Sequence, residues 1–132
     1  MPRLHKVAFD RSTPTLKLRH TAYLENGELR CLEEEGAEPS GVGSFEQSFF
    51  EHDSLISFSS TQTFAEPGRG LVRLETELRF DPQGRVLDAR VRRESRVASL
   101  PASNALWLRR HVQMLASAVR EDIAKQDSPA PR

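Results

Sequence analysis

The sequence holds one cysteine, one tryptophan and one tyrosine, and its only lysines are Lys6, Lys17 and Lys125. A lone Cys31 excludes an intramolecular disulfide and a cysteine-built zinc cage, and is expected to be a small buried hydrophobe. Net charge is missing as well. Nineteen basic residues balance nineteen acidic ones, so no overall field recruits nucleic acid or an anionic membrane. Arginine supplies most of the positive charge, which fits a GC-rich, bacterial-like coding composition; bidentate recognition by arginine is the sharper alternative. No stretch approaches the ~18 consecutive apolar residues of a membrane span, and the N-terminus lacks the apolar run of a signal peptide. The expectation is a soluble, cytoplasmic protein without a membrane or nucleic-acid partner.

Reaction and cofactor motifs are equally scarce. Gly41-Val42-Gly43 lacks the following glycine and the flanking elements of a dinucleotide loop, and no Gly-x-Ser-x-Gly elbow occurs. His5, His20, His52 and His111 are dispersed, without ligand spacing. Glu51-His52-Asp53 brings three ligand types together, but neighbouring side chains on a strand point apart, so it reads as a polar turn. No catalytic residue, metal or cofactor is assigned.

What is present is strand pattern. Leu16, Leu18, His20, Ala22 and Leu24 alternate with polar residues up to Asn26-Gly27, the strongest short hairpin signal. A two-residue loop there pairs Leu24 with Leu29, Ala22 with Cys31, His20 with Glu33 and Tyr23 with Arg30. Glu33 to Gly43 is rich in acid, glycine and proline and reads as a solvated loop. Phe45, Phe49 and Phe50 follow, with Ser44 placed to cap a helical turn; a core plug is the plain reading and an aromatic ligand lining the other. Ile56, Phe58, Gln62 and Phe64 then alternate with Ser57, Ser59, Thr61 and Thr63.

The organising stretch is Leu71 to Lys125. Val72, Leu74, Thr76, Leu78 and Phe80 alternate with charged residues, Asp81-Pro82-Gln83-Gly84 turns the chain, and Leu87, Ala89 and Val91 return. Two registers compete. One sets Leu78 against Leu87 and Glu75 against Arg90; the other, with a bulge at Gly84, sets Phe80 against Val86 and Leu78 against Asp88. The first keeps the apolar set on one face and is preferred. From Leu71 through the Asp81-to-Val86 turn to Ser95 and the helix start, the run resembles the C-terminal domain of TonB-type energy transducers. The aromatic-proline close of that family is absent after the helix, and no function is carried over.

The helix expected over Ser103–Lys125, with Pro101 near its start and Ser99 or Ser103 as cap, has a central stripe of Leu108, Val112, Leu115, Val119 and Ile123. Trp107, His111, Met114 and Ala118 form a second stripe, wider than contact with one sheet requires. The resulting expectation is an α+β domain spanning 1–132, with 1–14 and 127–132 as loose ends. It has a curved antiparallel sheet of five or six strands covered by one C-terminal helix. The function expected is a non-catalytic binding protein that self-associates as a homodimer or meets a protein partner through Trp107, His111, Met114, Arg90 and Arg92. The alternative is a small apolar ligand, or an enzyme site, between sheet and helix, lined by Phe45, Phe49, Phe58 and His111.

Overall fold

A computed structural model describes residues 4–10, 12–94 and 96–127. The order of elements is β1 (Leu4–Asp10), β2 (Lys17–Glu25), β3 (Glu28–Ala37), β4 (Gly43–Glu51), β5 (Ser54–Glu66), β6 (Gly70–Phe80), β7 (Val86–Arg93), β8 (Arg96–Ser99) and α1 (Ala102–Asp127). The strands form one antiparallel meander in chain order, open between β1 and β8, with α1 packed on one face. The α+β class is as expected; the strand number is eight among the described residues rather than five or six.

The departures from the expected pattern have clear origins. Glu33, Glu34 and Glu35 do not form a loop: β3 continues through them to Ala37, and only Glu38–Val42 turns. Acidic residues are tolerated there because each has one side of the sheet open to water or a polar neighbour. β8 arises because the chain reverses at Glu94, which adopts φ 57, instead of running straight from Leu87 to Val97. The segment from Leu4 to Asp10, within an end expected to be loose yet also patterned as a short edge strand, is such a strand and pairs with β2 along its length. The tail expected over 127–132 lies outside the described residues from 128 onward.

The hairpins explain the registers. Asn26 and Gly27 take φ 53 and 78, the left-handed pair that a two-residue turn requires, and His52 and Asp53 do the same at φ 50 and 63. Glu51-His52-Asp53 is therefore the edge of a hairpin turn. Leu24 does pair with Leu29, but a bulge at Arg30 then shifts the ladder, so Ala22 faces Leu32, His20 faces Glu34 and Tyr23 faces Cys31. The same event recurs in the two other hairpins whose turns lie at this end of the sheet, β4–β5 and β6–β7. Phe50 pairs with Leu55 and Phe49 with Ser57, leaving Ile56 extra; Phe80 pairs with Val86 and Arg79 with Asp88, leaving Leu87 extra.

Neither register expected for β6 and β7 holds: Phe80 meets Val86 as in one, yet Leu78 meets Ala89 on the same face. An extra residue on one strand restores the apolar face after the turn and bends the strand there. All three bulges lie at the end of the sheet that α1 covers.

The core follows from this. Ala22, Leu24, Leu29, Leu32, Phe50, Leu55, Phe58, Leu78 and Phe80 point to the helix side and meet Ala105, Val112, Ala116, Val119 and Ile123. Leu108 and Leu115 are only half-buried, so the contact stripe is rotated toward the two alanines, whose small side chains let the helix approach the sheet. The Pro101 carbonyl accepts from the Asn104 and Ala105 amides and starts the helix; no bond from Ser99 or Ser103 to a helix amide is seen. Among the described residues no helix is long and apolar enough to cross a membrane.

Candidate functional site

Two flanks of α1 meet different surroundings. On one, Arg109 lies against Gly84 and Arg120 reaches Asp53 at 3.3 Å while its guanidinium stands 5.8 Å from the Phe50 ring centroid. That flank closes onto the hairpin turns. Away from that flank the helix carries Trp107, His111 and Met114; Trp107 and Met114 are on the side turned from the sheet, and His111 lies near enough to Glu46 to act on its charge.

The expected partner residues divide between the two sides of the sheet. Trp107 is 61% and Met114 68% exposed, and no other described segment covers them. The Trp107 and His111 rings stack, with centroids 5.4 Å apart and planes 4° from parallel. Arg90 and Arg92 are on the opposite, outer face of the sheet. There Arg90 bonds Glu77 at 2.9 Å and Asp88 at 3.0 Å, and the Arg92 Nε donates to Glu75 at 2.7 Å. They form a paired charge ladder and do not share a surface with Trp107.

The expected ligand-lining residues are also separated. Phe58 is buried in the core beneath the helix, whereas Phe45 and Phe49 are exposed on the outer face. The reason is that Gly43–Glu51 is a strand and not a capped helical turn, so Phe45 and Phe49 share the outer face while Phe50, the next residue, points inward by simple alternation. Of the three phenylalanines only Phe50 plugs the core. Cys31 lies on the outer face between Tyr23 and Phe49; it is buried, and burial pushes its thiol up to about 11. Beside it Glu33 accepts a hydrogen bond from Gln47 at 3.1 Å and another from Tyr23, which raises the phenol above its ordinary range.

A grouping that the sequence did not disclose runs across the inner face. Register places Phe9, His20, Glu34, Glu46, Ser60 and Thr76 in one row, each opposite the next on the neighbouring strand. Directly opposite side chains on an antiparallel pair have Cβ atoms about 4.5–5.5 Å apart. Glu46 is held above the ordinary carboxylate range by burial and by the Glu34 charge, with His111 from the helix pulling the other way. His20 is 7% exposed, and its Nδ1 has no hydrogen-bond partner.

The next row outward is Leu18, Gly36, Ser44, Gln62 and Leu74. Its first four members floor an open trough of about 430 Å³ whose walls include Leu16 and Phe64 and whose rim carries Glu38. The arrangement offers acceptors and negative charge beside an apolar channel. Among the described residues no three His, Cys, Asp or Glu side chains are grouped to hold a metal ion.

Compared with known proteins, the chain matches no family model, no curated protein and no solved structure. The TonB-type resemblance therefore has no independent support, and the reading of function rests on geometry.

Proposed function

We propose that this chain is a non-catalytic binding protein that works through contact with another protein surface, a second copy of itself first of all. The observation that carries the reading is the exposed flank of α1, where Trp107 is already fixed by stacking on His111 and stands beside Met114. A large aromatic held in place loses little further entropy on contact, and Trp, Met and Arg are enriched where partners meet.

The same face of the helix favours a two-fold mate. Arg110 and Glu121 are exposed, have no ion-pair partner among the described residues, and lie on one stripe about three turns apart. Two such helices packed antiparallel set Arg110 of one copy against Glu121 of the other at both ends, with Met114, Ser117 and Ala118 between them. Small residues at the middle allow close approach.

A cytoplasmic setting belongs to the proposal, and the unpaired thiol of Cys31 is compatible with a reducing compartment. Sedimentation over a range of concentrations tests the reading. A dimer that weakens in Trp107→Ala and Arg110→Glu, and returns in Arg110→Glu with Glu121→Arg, supports it. A monomer at every concentration overturns it.

A second reading has its own observation. The unpartnered, buried His20 beside Glu34 and Glu46 is an inner-face feature that a purely structural sheet does not need, and it favours a small ligand held between sheet and helix.

A further inference from the structure

We infer that the open half of the inner face binds a small organic cation with an apolar body, its charged head at Glu34 and Glu46 and its body in the trough over Gly36. This deepens the second reading above and does not depend on self-association. Three independent observations converge.

The first is the carboxylate pair. Glu34 and Glu46 are opposite one another on the inner face, and each lies one position from the helix-covered core. Two like charges set side by side at the edge of a core repel, and nothing in folding requires them there. Burial and the neighbouring Glu34 raise the proton affinity of Glu46, and the opposing effect of His111 from the helix is the smallest of the three. A cation at this point relieves both.

The second is His20. Its ring is more than nine-tenths buried, opposite Glu34 in the same row, and Nδ1 is without a partner. Nδ1 is enclosed, and in the tautomer protonated at Nε2 it is an orphaned acceptor whose cost a ligand N–H recovers once it displaces the cover over the ring edge. Ser60, buried on the far side of Glu46, adds a hydroxyl. The row thus presents acceptors of the number and kind that an ammonium, with its three donors, can use.

The third is the channel beside it. Leu18, Gly36, Ser44 and Gln62 adjoin the row two residues along each strand, and Leu16 and Phe64 complete an apolar wall. Gly36 keeps the floor low: a Cβ there would sit at ordinary contact distance, 3.6 Å from Ser44 Oγ and 3.7 Å from Leu18 Cδ1. A larger side chain at this position fills the channel without touching either carboxylate. Arg93, the positive group at the far end of this face, is tied to Glu66 and lies over Phe64, so it does not supply the missing counter-charge. Glu38 on the rim adds negative charge. An anionic amphiphile of the same length is disfavoured by all of these groups.

The probes are n-octylamine, which is cationic at neutral pH, octanoate and 1-octanol, all used below their aggregation concentrations and followed by calorimetry. Saturable one-to-one binding of octylamine, with octanoate and octanol at least about tenfold weaker, is expected from loss of a charge-assisted contact. Glu46→Gln and Glu34→Gln should each weaken octylamine about tenfold by the same reasoning. Gly36→Val should weaken octylamine but not methylamine. Circular dichroism establishes that each variant is folded. Octanoate binding as tightly as octylamine, or no saturable binding of octylamine to the unaltered protein, overturns the inference without recourse to any variant. So do folded carboxamide variants that bind octylamine unchanged. Sedimentation of the same samples is read separately, so loss of the dimer and loss of the cation site are distinguishable.

Discussion

Arg109 on α1 lies so close over Gly84 in the β6–β7 turn that a Cβ on Gly84 would stand 2.7 Å from its guanidinium carbon. The first half of the helix is thereby seated on the hairpin that precedes it in the chain. Gly84 has φ +86 and Gly27 has φ +78, but nothing approaches within 4 Å of a Cβ at Gly27. The two glycines separate backbone strain from crowding. Gly27→Ala should lose about 1 kcal/mol, the cost of placing an L side chain in the left-handed region. Gly84→Ala should lose that and somewhat more, because Arg109 must swing aside. Urea denaturation of both variants, with Arg109→Ala added to each, measures the difference. Equal losses would mean that the Arg109 contact carries no energy.

The bulge at Leu87 makes a sharp contrast with its neighbours. Leu78 is fully buried beneath α1, so Leu78→Ala should cost about 2–5 kcal/mol through lost burial and the cavity left behind. Leu87 is 61% exposed because the bulge turns it outward. Leu87→Ser should therefore change stability by less than about 0.5 kcal/mol. In the simpler register these two leucines would face one another and both changes would be costly.

Cys31 should react slowly with thiol reagents at pH 8, since it is buried and few of its thiols are ionised when burial pushes the group up to about 11. The sign of the linkage is fixed. The folded value lies above the unfolded one, near 9.0, so the neutral thiol favours folding below pH 9 and that contribution is lost as pH rises from 9 toward 11. Denaturation midpoints across this window should fall less steeply in Cys31→Ala. A midpoint that falls in parallel in both proteins would assign the loss to other groups.

Glu46 gives a second pH signature at the opposite end of the scale. Burial and Glu34 raise its carboxyl above the ordinary value of 4.5, so the folded chain holds the proton more tightly than the unfolded one. Its contribution to stability is full below pH 4.5 and is lost as pH rises through the raised folded value. Glu46→Gln, uncharged throughout, should remove that loss and be the more stable protein at neutral pH. Stability curves from pH 4 to 8 read this directly. A variant less stable than the parent at pH 7 would show that the charged carboxylate has a partner that stabilises it.

Much of the architecture is written locally. Alternating residues in β2, β5 and β6, the Asn26-Gly27 pair and the helical spacing from Leu108 to Ile123 each state their own element through side-chain period or turn chemistry, which neighbours within a few residues determine. The exposed flank of Trp107 and Met114 was legible for the same reason, because helix period alone places it away from Val112 and Val119.

Only the tertiary structure decided the registers and the site. Arg30, Ile56 and Leu87 are bulged because the sheet must bend over one helix at the three hairpins of that end, and a bulge leaves a broken alternation that looks locally like a mistaken phase. Those shifts carried Cys31 to the outer face and turned Phe45 and Phe49 away from Phe58. They also aligned His20, Glu34 and Glu46, which stand on three different strands. No spacing along the chain encodes such a row; it exists only where hydrogen-bonded neighbours set the strands side by side.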